Sequence, residues 1–340
     1  MARIALKFLL PFLLLFIVSC APSKPTEIII SGQTMGTTYS IKVVQQPETP
    51  IDVKALQGEI DDALIQVNAL MSTYDPDSEL SKLNEAEAGQ PFAISKPTEY
   101  VLTEAIRLHN LSGGSLDVTV GPLVNLWGFG PDKRAEVIPT KSQLLEIEDY
   151  VGMDKFELNS GVVTKLHSKL YIDLSTIAKG YGVDVVADII EGNQIGDYLV
   201  EIGGEMRVAG KKANGSDWRI AIEKPISNER AIQKIISIGN NAVATSGDYR
   251  NYFEQDGVRY SHLIEPTTGY PITHNLVSVT VVHASSMTAD GLATALNVMG
   301  AEKAKELAHR NDLAVFMIMK QGEDFIEYTS PVFDRDIQQN

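Results

Sequence analysis

The chain has 340 residues, of which 44% are hydrophobic and 21% are charged, and its formal net charge at pH 7 is −15. This composition is typical of a globular protein, and the length allows one large domain or two smaller ones. Because nucleic-acid binding depends on clusters of basic residues, we do not expect so acidic a chain to bind nucleic acid.

The N-terminal residues have the layout of a secretory signal. An apolar run over 8–18, too short to span a bilayer, is followed by Ile-Val-Ser-Cys, which ends at Cys20 and resembles the bacterial lipoprotein box. Cys20 is the only cysteine, which excludes an intrachain disulfide and a cysteine metal site. We therefore expect a signal peptide over 1–19, and a lipidated Cys20 and tether over 20–30 that anchor the protein to a membrane.

Hydrophobic periodicity predicts mainly helices in the first half of the chain. Strands over 27–30 and 38–44 come first, and an apolar residue every three or four positions then predicts a helix over 53–71. The other elements expected here are a short helix after Asp77, helices over 97–111 and 139–150, irregular backbone in the glycine-rich segment 114–130, and short strands over 156–158, 162–164 and 170–173.

The second half is predicted to be mainly strands separated by turn residues. In order, we expect a helix over 176–191, strands over 197–202, 205–210, 218–223, 233–238, 242–246, 259–264 and 277–283, helices over 285–299 and 301–310, and strands over 313–319 and 324–328. Helices and strands are segregated along the chain and do not alternate as βαβ units, so the sequence predicts an α+β fold.

The helix predicted over 285–299 carries a candidate metal site. Asp290 and Thr294 are four residues apart, so their carboxylate and hydroxyl project from one face. Hard cations such as Mg²⁺ prefer oxygen ligands. A solvated aspartate near a helix start would also explain Asp290. A second segment with an acidic residue and a nearby hydroxyl supports the metal hypothesis. In it Thr176 lies three residues after Asp173 and is soon followed by a lysine.

His262 is the candidate proton acceptor. It lies in the strand predicted over 259–264, which runs into a Pro-Thr-Thr-Gly turn. A histidine in a strand is often a core residue with satisfied hydrogen bonds, so the pattern leaves both interpretations open. The sequence contains no dinucleotide-binding glycine motif, no zinc-ligand spacing and no nucleophile elbow.

Eight short segments together resemble those of the ApbE family, in the same order and over about residues 30–320. They are MGT at 35–37, STY at 72–74, LDVTVGPL at 116–123, DLSTIAKG at 173–180, EIGGE at 201–205, ATSGDY at 244–249, HLIEPTTG at 262–269 and SSMTADGLATAL at 285–296. That family consists of bacterial lipoproteins that transfer FMN from FAD to other proteins. The resemblance implies a single ApbE-like (T-fold-like) domain over 31–335, with mixed, largely antiparallel sheets flanked by helices.

The resemblance also implies the roles of individual residues. Mg²⁺ would be bound by Thr176, Asp290 and Thr294, and His262 would accept the proton of an incoming threonine hydroxyl. The helix starts near Thr176 and Ser285 would offer backbone N–H groups to phosphates. The positions that would hold FAD are Met35, Tyr74, Ser115, Leu116, Asp117, Asp173, Lys179 and Ile264.

By the same resemblance, the protein is an FAD:protein FMN transferase. It would transfer the FMN part of FAD to a Thr or Ser hydroxyl of acceptor redox proteins through a phosphoester bond, with release of AMP. Such acceptors carry a D-G-x-[ST]-[ST]-like motif, for example in subunits of Na⁺-translocating NADH:quinone reductase or Rnf-type electron-transport complexes. This sequence has no clear copy of the motif, so we expect it to be the modifying enzyme. A periplasm-facing lipoprotein of the inner membrane is implied, although Ala21 after the cysteine leaves outer-membrane sorting open.

Two other functions fit the same residues. If water reached the phosphate in place of threonine, the protein would be an FAD pyrophosphatase that gives FMN and AMP. A lipid-anchored flavin-binding carrier is the second alternative. The two-lobed build of most such carriers would show repeated βαβ units, which the predicted elements lack.

Overall fold

The computed structural model describes residues 24–130, 138–226, 231–248, 251–255, 258–322 and 324–339. The predicted signal peptide and Cys20 lie outside these residues, so both stay predictions. Among the residues described, no helix combines the length and the apolar character needed to cross a membrane.

Most of the predicted strands are present, and several short ones are added. In chain order the strands are β1 (Thr26–Thr34), β2 (Thr37–Gln45), β3 (Pro91–Ala93), β4 (Phe156–Asn159), β5 (Val162–Lys165), β6 (Tyr198–Ile202), β7 (Glu205–Ala209), β8 (Ile220–Glu223), β9 (Ile232–Ser237), β10 (Ala242–Gly247), β11 (Tyr252–Gln255), β12 (Val258–Ser261), β13 (Ile264–Glu265), β14 (Tyr270–Pro271), β15 (Leu276–His283), β16 (Ala314–Gln321), β17 (Asp324–Thr329) and β18 (Gln338–Gln339).

The helices follow the predicted apolar periodicity closely. Helix α1 (Val53–Met71) buries Leu56, Ile60, Leu64 and Val67 on one face, and the Asp52 side chain caps its N terminus by accepting from the Ala55 N–H. The other helices are α2 (Glu79–Glu85), α3 (Lys96–Leu111), α4 (Gly121–Leu126), α5 (Lys141–Glu148), α6 (Ser175–Gly192), α7 (Ser286–Met299), α8 (Ala301–Arg310) and α9 (Pro331–Asp336), with a 3₁₀ turn at Met153–Lys155.

One antiparallel sheet of eight strands organises the fold, in the order β1-β2-β6-β7-β10-β15-β16-β17. Side chains alternate between its two faces. One face packs against α1, α6, α7 and α8, with α3 packed on α6 and α7, and the other face packs against α9 and the small sheet β18-β9-β8. The α+β prediction with largely antiparallel sheets flanked by helices is confirmed.

Two predictions for the middle of the chain are wrong. Residues 170–173 form no strand, because the Asn84 side chain satisfies the backbone there: its Nδ2 donates to the Ile172 carbonyl oxygen at 2.9 Å and its Oδ1 accepts from the Ile172 N–H at 2.8 Å. The segment 114–130, predicted to be irregular, contains α4. Pro122 lies in its first turn, where the missing N–H of proline has no cost.

The strand predicted over 259–264 is also wrong in one respect, because it is interrupted at His262. Strand β12 ends at Ser261 and β13 begins at Ile264. The Ser261 hydroxyl accepts from the Leu263 N–H at 3.1 Å, a local bond that competes with strand pairing. His262 therefore lies at a bend, so strand alternation does not place it on the same face as Ile264.

Candidate active site

The candidate site lies in two adjoining cavities, the first lined by α6 and α7 and the second by α6 and α1, together with the turns around them. The first cavity has a volume of about 380 Å³ and the second about 570 Å³, and Asp173, Ser175 and Lys179 line both. Ten of the predicted site residues line the first cavity: Ser115, Leu116, Asp117, Asp173, Thr176, Lys179, His262, Ile264, Asp290 and Thr294. Met35 and Tyr74 line the second. The fold thus brings all twelve residues together.

Asp290 is buried where α6 and α7 cross. Its Oδ2 accepts a hydrogen bond from the Gly180 N–H at 3.0 Å, and its residue surface is only 6% exposed. Burial raises the pKa of this carboxyl to about 7; the Lys179 ammonium and the Gly180 N–H oppose the shift and the Glu205 charge adds to it. A cation bound beside this carboxyl would favour its ionised form.

Lys179 is held in the cavity by an acidic partner. Its Nζ lies 2.6 Å from Glu205 Oε1. Burial acts to lower the pKa of Lys179, but the charges of Asp290 and Glu205 outweigh burial and raise it, so the ammonium stays charged. The other oxygen of Glu205, Oε2, is buried and has no hydrogen-bond partner among the described residues.

The donor set of the first cavity fits a hard cation. The Thr176 hydroxyl is buried and has no hydrogen-bond partner among the described residues, and Thr294 and Asp290 line the same cavity. Within the described ranges, no three His, Cys, Asp or Glu residues are grouped as a metal site. A few oxygen donors on a protein wall suit Mg²⁺, which usually completes its coordination with water and substrate phosphates.

Two further carboxylates shape the cavity walls. Asp117 Oδ1 accepts from the Thr119 N–H at 2.7 Å and from the Thr119 hydroxyl at 2.5 Å, and Asp173 Oδ1 accepts from the Ser175 N–H at 2.9 Å. Burial raises the pKa of both carboxyls, while these hydrogen bonds act to lower it. Since the lining acids outnumber its one lysine, an anionic ligand would need an added cation.

His262 lines the first cavity, and one of its ring nitrogens is held by the backbone. Its Nδ1 lies 3.0 Å from the Asn251 carbonyl oxygen, which can only accept, so Nδ1 carries the proton and donates. In the neutral ring Nε2 is then the nitrogen with the free lone pair. Burial lowers the pKa of His262 below its usual value, and the bond to Asn251 partly opposes this shift.

Comparisons with known proteins assign the family. A sequence model of the ApbE family matches residues 35–317. The chain belongs to the ApbE family. It is 54% identical to a protein of Vibrio cholerae named FAD:protein FMN transferase, over 94% of this chain and 95% of that one. A protein of the same name from Haemophilus influenzae is 48% identical over 93% of each chain.

Solved ApbE structures share the whole fold. The flavin transferase ApbE from Vibrio cholerae has a TM-score of 0.86 and 52% sequence identity, and the match covers 92% of this chain and 99% of that one. The apo form of the Pseudomonas stutzeri flavinyl transferase ApbE has a TM-score of 0.85 at 38% identity, covering 92% and 98%. The antiparallel α+β architecture is therefore that of ApbE structures.

One expectation for this ApbE-family site is wrong. The N-terminal N–H groups of α7 do not face a phosphate site, because the Asp184 carboxylate accepts from the Ser286 and Met287 N–H groups, both at 3.0 Å. At the start of α6 the N-cap residue Leu174 makes no side-chain capping bond, but the Asp173 Oδ1 accepts from the first N–H of the helix, that of Ser175, at 2.9 Å.

Three polar residues of this ApbE-family site were not predicted from the sequence. Glu205 and Ser246 line the first cavity, and Asn297, which is fully buried, donates from Nδ2 to the Ser246 hydroxyl at 3.3 Å. Each had a signal. Glu205 and Ser246 lie in quoted family segments, and Asn297 follows Asp290 by seven residues, two helical turns on the same face.

Proposed function

We propose that this chain is an FAD:protein FMN transferase that uses Mg²⁺, modifies a Thr or Ser hydroxyl of an acceptor protein and releases AMP. The observation that carries the proposal is the single cavity in which a neutral imidazole, a lysine and unpartnered buried oxygen donors converge. The activity named for relatives that are 54% and 48% identical over nearly the whole chain supports it.

FAD would extend across both cavities. Their volumes, about 380 and 570 Å³, lie within the range of small-molecule sites, and neither alone suits a dinucleotide as well as the pair does. Asp173 and Lys179 line both cavities, so the lysine is suited to the pyrophosphate. Ser115, Leu116, Asp117 and Ile264 would contact FAD from the first cavity, and Met35 and Tyr74 from the second.

Thr176, Asp290 and Thr294 would hold Mg²⁺. The unpartnered Thr176 oxygen and the buried Asp290 carboxyl, with its pKa of about 7, support this assignment. When bound, the ion supplies positive charge that polarises phosphate oxygens and offsets the acidic lining of the cavity. Glu205 keeps Lys179 oriented in the same cavity.

His262 would act as the general base. Its Nε2 accepts the proton of the acceptor hydroxyl, and the hydroxyl oxygen forms a bond to the FMN phosphorus. The bond from that phosphorus to the bridging pyrophosphate oxygen breaks, and AMP leaves with that oxygen. Because Asn251 fixes the tautomer through Nδ1, the lone pair of Nε2 is available without ring rotation.

The acceptors are proposed to be redox proteins with a D-G-x-[ST]-[ST]-like motif, such as subunits of Na⁺-translocating NADH:quinone reductase or Rnf-type complexes. We further propose that lipidated Cys20 places the enzyme on a periplasm-facing membrane surface. The inner membrane is preferred, with outer-membrane sorting as the alternative.

One incubation tests the proposal against its two alternatives. The protein is mixed with FAD, Mg²⁺ and an acceptor domain that carries the motif, and a copy of the domain with its target Thr replaced by Ala is the control. In-gel flavin fluorescence on the intact domain alone, with AMP in solution, is expected. AMP without a fluorescent band would indicate a pyrophosphatase, and bound but unchanged FAD would indicate a carrier.

A further inference from the structure

The candidate metal donors are divided between two helices. Thr176 and Lys179 are on α6, whereas Asp290 and Thr294 are on α7. The helices cross closely at Gly180, where an added Cβ would lie 2.4 Å from the Ser286 carbonyl oxygen. Because oxygen donors bind a small ion only at the right spacing, the relative position of α6 and α7 determines whether the site can hold it.

A second contact fixes the same two helices, and it is built on Asp184. This residue lies one helical turn after Gly180 on α6, and its carboxylate accepts from α7 at three points: the Ser285 hydroxyl at 2.8 Å and the Ser286 and Met287 N–H groups, both at 3.0 Å. These three hydrogen bonds to the start of α7 fix the position of α7 along α6 and its rotation about its own axis.

The carboxylate of Asp184 is itself fixed from the sheet. Arg207 on β7 donates from Nη1 to Asp184 Oδ1 at 3.2 Å, and also contacts Asp188 and Glu191. The Asp184 side chain is 15% exposed, whereas that of Asp188 is 71% exposed. Asp184 is not among the lining residues of either cavity, so any effect on the site must pass through the helices.

We propose that Asp184 is a positioning residue for the metal site: its carboxylate holds α7 on α6 so that Asp290 and Thr294 stand at the spacing from Thr176 that a Mg²⁺-sized ion requires. The inference rests on the proposed function, because it assumes that these three residues bind the ion. Removing the Asp184 carboxylate should therefore lower the affinity for the metal ion, beyond any effect on folding.

The test measures metal affinity without turnover. Mn²⁺, which accepts the same oxygen ligands, is titrated into the purified full chain in the absence of acceptor, and free Mn²⁺ is measured by electron paramagnetic resonance. Asp184→Asn turns one carboxylate oxygen into an NH₂ that faces N–H donors. We expect the Mn²⁺ dissociation constant to rise about 10–100-fold, as for other residues that orient metal ligands.

Asp188→Asn is the matched control, because it alters an exposed carboxylate on the same helix that contacts the same arginine. Its Mn²⁺ affinity should equal that of the parent within about twofold. If Asp184→Asn does not fold, Ser285→Ala, which removes one bond to Asp184 and the bond to the Thr288 N–H, should still raise the dissociation constant by about threefold or more, above the range of the control.

Two results would overturn the inference, and they are distinguishable. If the parent binds Mn²⁺ in competition with Mg²⁺ and Asp184→Asn binds it equally well at a lower melting temperature, Asp184 is only structural and the proposed function is untouched. If the parent itself binds no Mn²⁺, the metal site of the proposed function fails, and this inference fails with it.

Discussion

The Asn251 carbonyl oxygen determines which ring nitrogen of His262 carries the proton. The Asn251 oxygen accepts from both the backbone N–H and the ring Nδ1 of His262, at 3.2 and 3.0 Å, which fixes the ring and its tautomer. Burial lowers the pKa of the ring, so the neutral form persists to lower pH than in an exposed histidine. A proton acceptor needs both a fixed tautomer and a neutral ring, so these two effects support the role proposed for His262, which the sequence left open.

We expect His262→Asn to lower FMN transfer by about 10²–10⁴-fold with little change in FAD affinity, because the variant loses the proton acceptor but leaves the other FAD contacts in place. In the parent, the rate should fall as the pH drops through an apparent pKa below about 6.5, since a general base must be unprotonated. Single-turnover rates across pH and FAD titrations measure both effects.

His274→Asn is the control for this prediction. His274 is also partly buried, but its Nε2 donates to the Val298 carbonyl oxygen at 3.3 Å and the residue lines neither of the two site cavities. Its replacement should change the melting temperature and leave turnover per folded molecule intact. Intact turnover in His262→Asn as well would contradict the general-base role.

Asp290→Ala is expected to abolish transfer, and excess Mg²⁺ should restore little of it. The substitution removes a carboxylate that burial has already desolvated, and with it most of the negative charge available to the ion. The measurement is initial rate against Mg²⁺ concentration. Asp62→Ala, at an exposed position of α1, is the control and should match the parent. Near-normal turnover of Asp290→Ala at low Mg²⁺ would leave Asp290 as a helix residue without a metal role.

The close packing of α6 against α7 depends on Gly180, which has no side chain. An alanine Cβ at Gly180 would lie 2.4 Å from the Ser286 carbonyl oxygen and 2.8 Å from Asp290 Cβ. Backbone atoms cannot rotate away, so the helices must separate. Gly180→Ala should destabilise the fold by about 1–3 kcal/mol and reduce transfer, as measured by urea unfolding and by activity.

The same helix provides the comparison for this prediction. A Cβ at Gly192 would meet no atom within 4 Å. Gly192→Ala should therefore leave activity unchanged and alter stability by about 1 kcal/mol or less, in the stabilising direction expected from helix propensity. Equal losses of stability and activity in the two variants would show that close packing at Gly180 does not position the site.

Local patterns predicted the helices and strands well, and the errors occur where distant side chains replace backbone pairing. The 53–71 helix followed from apolar periodicity alone. The strand expected at 170–173 did not form because Asn84, 88 positions from Ile172, takes over its hydrogen bonds. Ser285 itself caps α7 by accepting from the Thr288 N–H, but the Ser286 and Met287 N–H groups donate to Asp184, 102 and 103 positions away. No sequence window spans such distances.

At the scale of the whole molecule, the eight-stranded sheet explains why site residues so far apart in sequence meet. Its strands come from both ends of the chain, so the β1–β2 turn with Met35 lies beside the residues of α6 that line the second cavity. The order of the motifs identified the family and hence the site residues. The ion pair of Lys179 with Glu205 required the fold, because both charges are common residues whose proximity no spacing encodes.

The anchor and the site are expected to be separable. Every residue of the two cavities lies between Met35 and Val298, whereas Cys20 precedes the described residues. If Cys20 is lipidated as proposed, we expect Cys20→Ser to leave the membrane fraction and to flavinylate a soluble acceptor domain at the parent rate, because the substitution removes only the proposed acyl anchor. Membrane fractionation and in-gel flavin fluorescence measure the two properties independently.

Ser19→Ala serves as the control, because it keeps the cysteine and a small residue before it, and it should fractionate with membranes as the parent does. Modification of a membrane-embedded acceptor is expected to slow in Cys20→Ser, since the enzyme must then find the acceptor from solution and loses the effective concentration that a shared membrane provides. A soluble, folded Cys20→Ser protein that no longer modified the soluble domain would show that the anchor contributes to catalysis itself.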